Sequence, residues 1–254
     1  MYRNVYDLKS FYNSKTGRMV RRVMQARIRQ FWPDVTDMTV MGSGYATPYL
    51  RIFKEEAERV FAIMPAPHGV HHWPQTGHEK NLVCASEAFA LPIESSSVDR
   101  ILLMHDLEFS EVLHANLQEV WRVMKPNGRL LIIVPNRSGL WSSADWSPFG
   151  IGKPYSEDQV CYYLRDNNFV HERSERALFL PPSKRGLMLK SAAFFERFGP
   201  YCLPFFAGLH MVEASKQVFA TLDKGSGSRV SIRGRAGISR PVMEGYGSFQ
   251  RKPK

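Results

Sequence analysis

The chain has 254 residues and a net charge of +10, and it is long enough to bury a substantial core without disulfide support. Its start carries no apolar stretch of the signal-peptide kind, and no apolar run approaches the ~20 residues that a membrane helix needs. The cysteines (Cys84, Cys161 and Cys202) are scattered without a CxxC pair, which argues against a disulfide framework and a zinc site. We therefore expect a cytoplasmic protein with no membrane span and no metal.

The positive charge lies at the two ends of the chain. Residues 1–32 carry +7 and residues 223–254 carry +6, which leaves −3 for residues 33–222. Basic ends of this kind can contact nucleic acid or an anionic membrane surface. A solvated helix face and a solubilising tail explain the same pattern, and we favour that interpretation over a nucleic-acid partner.

The first predicted element is a helix over Thr16–Trp32. Apolar side chains recur at helical spacing from Val20 to Phe31, and Pro33 ends the pattern. Residues 1–34 are therefore interpreted as a basic N-terminal helical region that packs on the domain behind it.

A short strand over Met38–Met41 then runs into a glycine turn, and Pro48–Ala57 is predicted to be a helix with proline near its start. Arg59–Met64 is predicted as the second strand. The next segment, Pro65–Asn81, is interrupted by prolines and glycines where a crossover helix would ordinarily lie. We expect a loop or only a short helix there.

Two further strands, Leu82–Cys84 and Asp99–Met104, are indicated by short apolar runs. Phe109–Met124 has the apolar period of an amphipathic helix. The turn Lys125–Gly128 leads from it directly into a fifth strand over Leu130–Asn136.

The last elements are a helix over Ser156–Asn167, with Ser156 as its N-cap, and two long strands. These strands, Val170–Leu180 and Leu209–Ala220, are joined through a helix over Leu187–Phe198. Strands that alternate with helices predict an α/β fold with a doubly wound, mostly parallel sheet. The final two strands predict an antiparallel hairpin at its C-terminal edge.

This sheet defines the domain organisation. The predicted domain covers residues 35–222, between the basic N-terminal region and the tail. Residues 223–254 are rich in Gly, Ser and Arg with little periodicity, and we expect them to be disordered.

Three segments carry the functional signal. Val40–Gly44 joins a strand to a helix through Gly-Ser-Gly, where the missing Cβ lets the backbone approach a ligand. Leu91-Pro92 stands before the fourth strand, and Trp121–Arg129 leads into the fifth. In order and spacing these segments resemble the class I S-adenosylmethionine-dependent methyltransferases of the small-molecule type, over about residues 35–220. The resemblance implies their Rossmann-like fold, and S-adenosylmethionine as the cofactor.

The resemblance also implies the cofactor-binding residues. Gly42 and Gly44 would form the turn beneath the methionine part of the cofactor, with Tyr45 beside them. Glu87 would accept a hydrogen bond from the adenine amino group, because a carboxylate can only accept, and the N–H of Ala88 would contact a ring nitrogen. A purely structural turn and a solvated loop residue are the respective alternatives.

His105 is the one candidate for catalysis. It closes the fourth strand at its carboxyl end, where ligands bind in sheets of this kind. Histidine titrates near neutral pH and therefore suits a proton acceptor, or it could contact the cofactor edge. A packed or helix-capping histidine is the alternative, which we favour slightly, so the catalytic residues stay unassigned.

Two positions depart from the family's pattern. An acidic residue usually stands at the position of Val40, near the methionine amino group, and another ends the second strand, where this chain has Met64. The second acid holds both ribose hydroxyls, and losing that acceptor forfeits about 1–3 kcal/mol. Three explanations stay open: loop histidines replace the partner, the cofactor binds weakly, or the pocket has lost it. The histidines concerned are His68, His71 and His72.

Two loops have open interpretations. The loop after the second strand holds four histidines and Trp73, but the spacing of His71 and His78 matches no usual metal site, so we expect it to cover the adenosine pocket. The loop after the fifth strand is rich in aromatic residues, which either enclose a flat or hydrophobic acceptor or form a cluster of their own. These are Trp141, Trp146, Phe149 and Tyr155.

The predicted function is methyl transfer from S-adenosylmethionine to an unidentified acceptor. The alternative is a catalytically inactive protein that keeps the fold and binds a protein or RNA partner. Val40 and Met64 favour the alternative, whereas the glycine turn and Glu87 oppose it.

Overall fold

The computed structural model of the protein describes residues 4–74, 80–184, 191–202 and 206–217. Within them seven strands form one sheet: β1 Thr39–Gly44, β2 Arg59–Pro65, β3 Val83–Ser86, β4 Val98–Met104, β5 Met124–Pro135, β6 Val170–Ala177 and β7 Leu209–Ser215. The helices are α1 Val5–Asn13, α2 Lys15–Phe31, α3 Thr47–Leu50, α4 Leu113–Val123, α5 Glu157–Asp166 and α6 Ala192–Cys202.

The strand order across the sheet is β3-β2-β1-β4-β5-β7-β6. The first five strands along the chain pair in parallel, and β7 pairs antiparallel with both β5 and β6. This confirms the predicted mostly parallel sheet with an antiparallel hairpin edge. The order in which successive strands are added to the sheet reverses between β1 and β4. The carboxyl ends of these parallel strands lie at one edge, where sheets of this type bind ligands.

The core lies on both faces of the sheet, because parallel strands covered by helices are buried on both sides. Successive residues of β4 alternate between the two layers. Leu102 and Met104 belong to the layer that contains α1, α2 and α3, whereas Ile101 and Leu103 pack with α4 and α5.

Helix α1 was not predicted from the sequence. Its apolar side chains Val5, Leu8 and Phe11 are buried at helical spacing, and the Asn4 side chain accepts a hydrogen bond from the Tyr6 N–H at its start. A single residue, Ser14, separates it from α2. Ser14 donates its N–H to the Phe11 carbonyl at 2.9 Å and accepts the Gly17 N–H on its hydroxyl at 3.0 Å, so it caps both helices.

Several predicted boundaries differ from the structure. The helix expected over Pro48–Ala57 ends at Leu50 and continues as one 3₁₀ turn, after which Glu56 binds the Val35 N–H and the Arg29 guanidinium. Helix α4 begins at Leu113 rather than Phe109. Strand β6 ends at Ala177, because Leu178 has a positive φ of 62°.

Other predictions agree or fall outside the described residues. Ser156 is the N-cap of α5 and forms a capping box with Gln159. Between Pro65 and Pro74 the chain forms one 3₁₀ turn and otherwise loop. His78, residues 187–190 of the helix predicted over Leu187–Phe198, residues 218–220 of the last predicted strand and the tail 223–254 lie outside the described residues. The domain boundaries stay a prediction. Within the described ranges, no helix is long and apolar enough to cross a membrane.

Candidate functional site

The glycine turn at the end of β1 is packed against β4. Gly44 has a φ of 74°, and the Tyr45 N–H donates to the Met104 carbonyl at 2.7 Å. A Cβ at Gly44 would lie 2.7 Å from the His105 carbonyl oxygen, and a Cβ at Gly42 would lie 2.6 Å from the Ala46 Cβ. The two glycines therefore allow the chain to pass close to β4 and to its own next helix.

Helix α1 places Tyr12 over this turn. The Tyr12 ring stacks on Tyr45 with 5.6 Å between the centroids, and both rings are almost fully buried. Burial raises the pKa of both phenols above the ordinary value. The Tyr49 hydroxyl donates to the Tyr12 hydroxyl at 2.8 Å, and the Tyr12 oxygen lies 2.7 Å from the His105 Nε2.

This hydrogen-bond chain continues to a buried carboxylate. The His105 Nδ1 lies 3.0 Å from the Glu108 Oε1, and both side chains are at most 1 % exposed. Because a carboxylate accepts, Nδ1 carries the proton and donates, which leaves Nε2 to accept from Tyr12. The second carboxylate oxygen of Glu108 is buried with no partner among the described residues. His105 is thus oriented as a base whose free nitrogen is covered by a phenol.

Asp106 is the second buried acid at the end of β4. Its carboxylate accepts a hydrogen bond from the Ser43 hydroxyl in the glycine turn. Burial raises the pKa of Asp106 from 3.8 to about 6, the Ser43 hydrogen bond opposes that shift, and the negative charge of Glu108 adds to it. At neutral pH the group is mainly ionised and can still accept a donor from a ligand.

A cavity of about 320 Å³ opens at the carboxyl ends of β2, β3 and β4. Three carboxylates, Glu87, Asp106 and Glu111, line it together with His68, whose pKa burial lowers. Its volume lies at the lower end of the ~300–1,000 Å³ range of small-molecule sites. Apolar contributions come from rings and short side chains, namely Pro65, Pro67, Ala88, Phe89, Phe109 and Val112.

The cavity separates the predicted cofactor residues into two groups. Glu87 and Ala88, which follow β3, line it. Gly42, Gly44, Tyr45 and His105 do not, since they lie in the packed region beneath α1. Asp106, the residue after His105, joins the two regions because it reaches both Ser43 and the cavity.

The side chains at the two positions that depart from the family pattern are buried in the core. Val40 is fully buried and Met64 is 1 % exposed, both within the layer beneath α1, α2 and α3. Of the histidines proposed as replacements, His68 lines the cavity, whereas His71 packs its ring against Tyr45 at 5.5 Å. Trp73 is also buried in the core layer.

The aromatic loop after β5 is built into the closed region. Trp141 is fully buried and donates its indole N–H to the Leu180 carbonyl at 2.7 Å, and Phe149 lies 5.0 Å from the His105 ring. A second cavity of about 520 Å³ lies on the outer side of Phe11, where α1 and the start of α2 meet Trp146. Lys15 and Lys184 bring positive charge to it.

Sequence reasoning missed Tyr12 and the role of Glu108. The signal for Tyr12 was the apolar spacing of Val5, Leu8 and Tyr12, which indicates a helix. Glu108 stands three residues after His105, but the 3₁₀ turn Leu107–Phe109 that folds it back onto the imidazole carries no motif.

The strand order, the glycine turn after β1 and the cavity at the carboxyl ends define a Rossmann-like α/β domain with a cavity where such sheets bind ligands. Residues 40–132 match the family model described as a methyltransferase domain. No curated protein matches the chain in sequence. Over this segment the chain is similar to methyltransferase domains, which supports the predicted class I S-adenosylmethionine-dependent methyltransferase family and S-adenosylmethionine as the cofactor.

Solved structures of the same fold are similar over most of the chain. A SAM-dependent methyltransferase from Archaeoglobus fulgidus is 17% identical, with a TM-score of 0.57 and coverage of 84% of this chain and 100% of its own. A SAM-dependent methyltransferase from Thermotoga maritima is 14% identical, with a TM-score of 0.57 and coverage of 84% and 96%. One from Mesorhizobium loti is 12% identical, with a TM-score of 0.55 and coverage of 75% and 96%. At such identities the likeness establishes the fold.

The residues present fit the nucleoside half of this cofactor. The cavity offers three carboxylates as acceptors and apolar rings, which suit the amino and hydroxyl donors of adenosine and its flat base. At the glycine turn, by contrast, Tyr12 and Tyr45 fill the space above the backbone.

Proposed function

We propose that this protein transfers a methyl group from S-adenosylmethionine to a small acceptor, and that the cavity between Glu87 and Asp106 holds the adenosyl part. The observation that carries the proposal is the convergence of these two carboxylates, from the loops after β3 and β4, on one cavity at the strand ends. The match over residues 40–132 supports the same reaction. It also disfavours the alternative of a non-catalytic binding module.

Each cavity residue has a proposed role. Glu87 accepts from the adenine amino group, and the N–H of Ala88 contacts the ring. Asp106 accepts from the ribose hydroxyls, in place of the acid that the family usually has at the end of β2. It suits this role because its carboxylate lines the cavity and its pKa of about 6 leaves it mainly ionised at neutral pH.

The glycine turn of Gly42 and Gly44 and the adjacent Tyr45 are proposed to hold the methionine part. This requires Tyr12 to leave its stacked position on Tyr45, so that α1 moves when the site fills. The cofactor supplies a sulfonium, which is a good leaving group. The protein's contribution is therefore mainly to align the acceptor with the methyl carbon.

His105 is the proposed proton acceptor. Glu108 holds its Nδ1 proton, and the displacement of Tyr12 would free Nε2 toward the acceptor. The acceptor would exchange a proton for the methyl group that the sulfonium gives up as it becomes a thioether, and that proton would pass to Nε2. The cavity beside Phe11 and Trp146 lies next to this region and is the proposed approach for the acceptor.

Calorimetric titration with S-adenosylmethionine and with S-adenosylhomocysteine tests the cofactor site. We expect saturable binding of both, weakened about 10- to 100-fold by Glu87→Gln, because an amide cannot offer two acceptor oxygens to the amino group. Glu94→Gln is the matched control, since Glu94 is an exposed acid of the same loop that does not line the cavity. An absence of binding heat in folded wild-type protein would overturn the proposed function, and equal weakening by both variants would overturn the site.

A further inference from the structure

Helix α6 exposes a row of aromatic side chains. Phe194 is 60% exposed, Phe198 44% and Tyr201 86%, and Phe206 just beyond the helix is 45% exposed. Their spacing places the three helical residues on one side of α6. The rings of Phe194 and Phe198 are 4.7 Å apart. Contiguous exposed aromatic surface of this kind marks an interaction site more often than a free surface.

A row of cations lies beside these rings. Lys15, Arg18 and Arg22 are exposed on one side of α2, and Arg197 is exposed on α6 with its guanidinium 5.8 Å from the Phe198 ring. Among the described residues, none of these four has a carboxylate partner within ion-pair distance. Their charge is available to an external anion.

A groove of about 1280 Å³ separates α2 from α6 and collects this charge. Its apolar lining includes Met19, Val23, Ala26 and Ala193. The one acid that lines it among the described residues is Glu196, which is occupied by Arg27 at 3.5 Å and by the Phe179 N–H at 2.7 Å. The α2–α6 surface is thus basic along the groove and aromatic along its rim.

We propose that the α2–α6 surface binds the anionic face of a lipid bilayer, with the aromatic rings of α6 in the interfacial region and the cations on lipid phosphates and carboxylates. Helical surfaces that combine aromatic side chains with Lys and Arg bind membranes in this way without spanning them. Charge complementarity selects this occupant. The chain's own residues 223–254 carry +6, and a second copy would present the same cations, so both would be repelled.

The ring geometry favours a lipid surface over a single-stranded nucleic acid. Bases bind aromatic platforms by stacking on open ring faces. Phe194 and Phe198 instead lie against each other at 4.7 Å with 41° between their planes, which leaves no gap for a base between them. Their exposed area would be removed from water by an apolar phase, which stabilises the bound state.

Sedimentation of the full-length protein with lipid vesicles tests this proposal. We expect binding to vesicles of phosphatidylcholine with phosphatidylserine, and little binding to phosphatidylcholine alone. Arg18→Glu with Arg22→Glu should weaken binding by about 25-fold or more, since each cation near an anionic membrane contributes about fivefold. Phe194→Ser with Phe198→Ser should weaken it at least about tenfold.

Matched controls lie on α5, which packs on the other face of the sheet. Tyr162→Ser and Arg165→Glu alter an exposed aromatic residue and an exposed cation there and should leave vesicle binding unchanged. Every variant should bind S-adenosylmethionine with the affinity of the wild type. This measurement distinguishes a failure of the proposed cofactor site from a failure of the proposed lipid surface.

Three results would overturn the proposal. The first is no preference for phosphatidylserine vesicles at low salt. The second is preserved binding in both double variants, which would assign it to another part of the chain. The third is that the wild type binds a single-stranded oligonucleotide but no vesicles, and that both double variants lose the oligonucleotide binding. That result would make the surface a nucleic-acid site.

Discussion

The carboxyl edge of the sheet has two halves that differ in access. At the ends of β1 and β4 the edge is closed: Tyr12, Tyr45 and His105 are each less than 5 % exposed. At the ends of β2 and β3 the edge is open, and Glu87 faces a cavity of about 320 Å³. The same sheet edge therefore has an open cavity next to a region that α1 covers.

The closed half contains several polar side chains that are buried. Tyr49, Tyr12, His105 and Glu108 form one buried chain of hydrogen bonds, and Asp106 is buried beside it. Buried polar groups of this kind are stable when paired and costly when one partner is removed. The closed half should therefore be sensitive to substitution, whereas the open half should tolerate it.

The largest expected effect is at Gly44. Gly44→Ala should destabilise the fold by more than about 4 kcal/mol, because the new Cβ would meet backbone carbonyls at a positive φ. Gly69→Ala is the matched control: Gly69 also has a positive φ, of 80°, but its Cβ would meet its nearest atom, the Val5 Cγ1, at an ordinary 3.6 Å. That control should cost only the backbone strain of its positive φ, about 1–3 kcal/mol in denaturant unfolding. Equal losses in the two variants would contradict the close packing of the glycine turn.

Asp106 should make stability depend on pH. Its pKa is raised from 3.8 to about 6 in the folded state, so the folded protein binds this proton more tightly than the unfolded chain. The unfolding free energy of the wild type should therefore fall as the pH rises through this window, by about 3 kcal/mol relative to Asp106→Asn.

Denaturant unfolding of the wild type and Asp106→Asn at pH 4, 5, 6 and 7 provides the measurement. Asparagine keeps an oxygen that can accept the Ser43 hydroxyl, so the difference isolates the charge. Parallel pH profiles for the two proteins would contradict a buried, ionisable Asp106.

Tyr12→Phe should have a smaller effect. It removes the hydroxyl that joins Tyr49 to His105 and leaves two buried polar atoms without their partner, which costs about 1–3 kcal/mol. Tyr162→Phe is the control, since Tyr162 is 62% exposed and its hydroxyl faces water. An unchanged unfolding free energy for Tyr12→Phe would show that the chain of hydrogen bonds does not hold α1 in place.

The smallest effect on stability is expected at Glu87. Its side chain is exposed at the open half, so Glu87→Gln should change the unfolding free energy by less than about 0.5 kcal/mol. A loss of several kcal/mol would show that the open half is also part of the packed structure. Denaturation curves of Glu87→Gln and Gly44→Ala measured side by side would show whether the open half tolerates substitution better than the closed half.

The sheet could be predicted from the sequence because its signals are local. The apolar runs of β2 and β4 and the turn into β5 each occupy a few consecutive residues, and their order fixes the topology. Helix boundaries were less accurate, since the ends of α3 and α4 depend on tertiary hydrogen bonds such as that of Glu56 with Val35.

The closed half could not be predicted in the same way. Tyr12 and His105 are 93 residues apart, and no local pattern relates them. Glu87, by contrast, could be assigned to the strand ends from its place after a predicted strand. Sequence spacing thus placed Glu87 at the strand ends, whereas the packing over the glycine turn depends on a contact between distant segments.

The single residue between the first two helices limits how the sealed edge can open. Helix α2 is anchored at its far end, where the Trp32 indole N–H donates to the Glu213 carboxylate at 3.0 Å and the Arg173 guanidinium lies 3.8 Å from the Phe31 ring. Helix α1 is held by its buried face and by the hydrogen bonds of the Tyr12 hydroxyl, and Ser14 is its covalent link to α2. Rotation of the backbone at Ser14 would move α1 away from the glycine turn while α2 keeps its position.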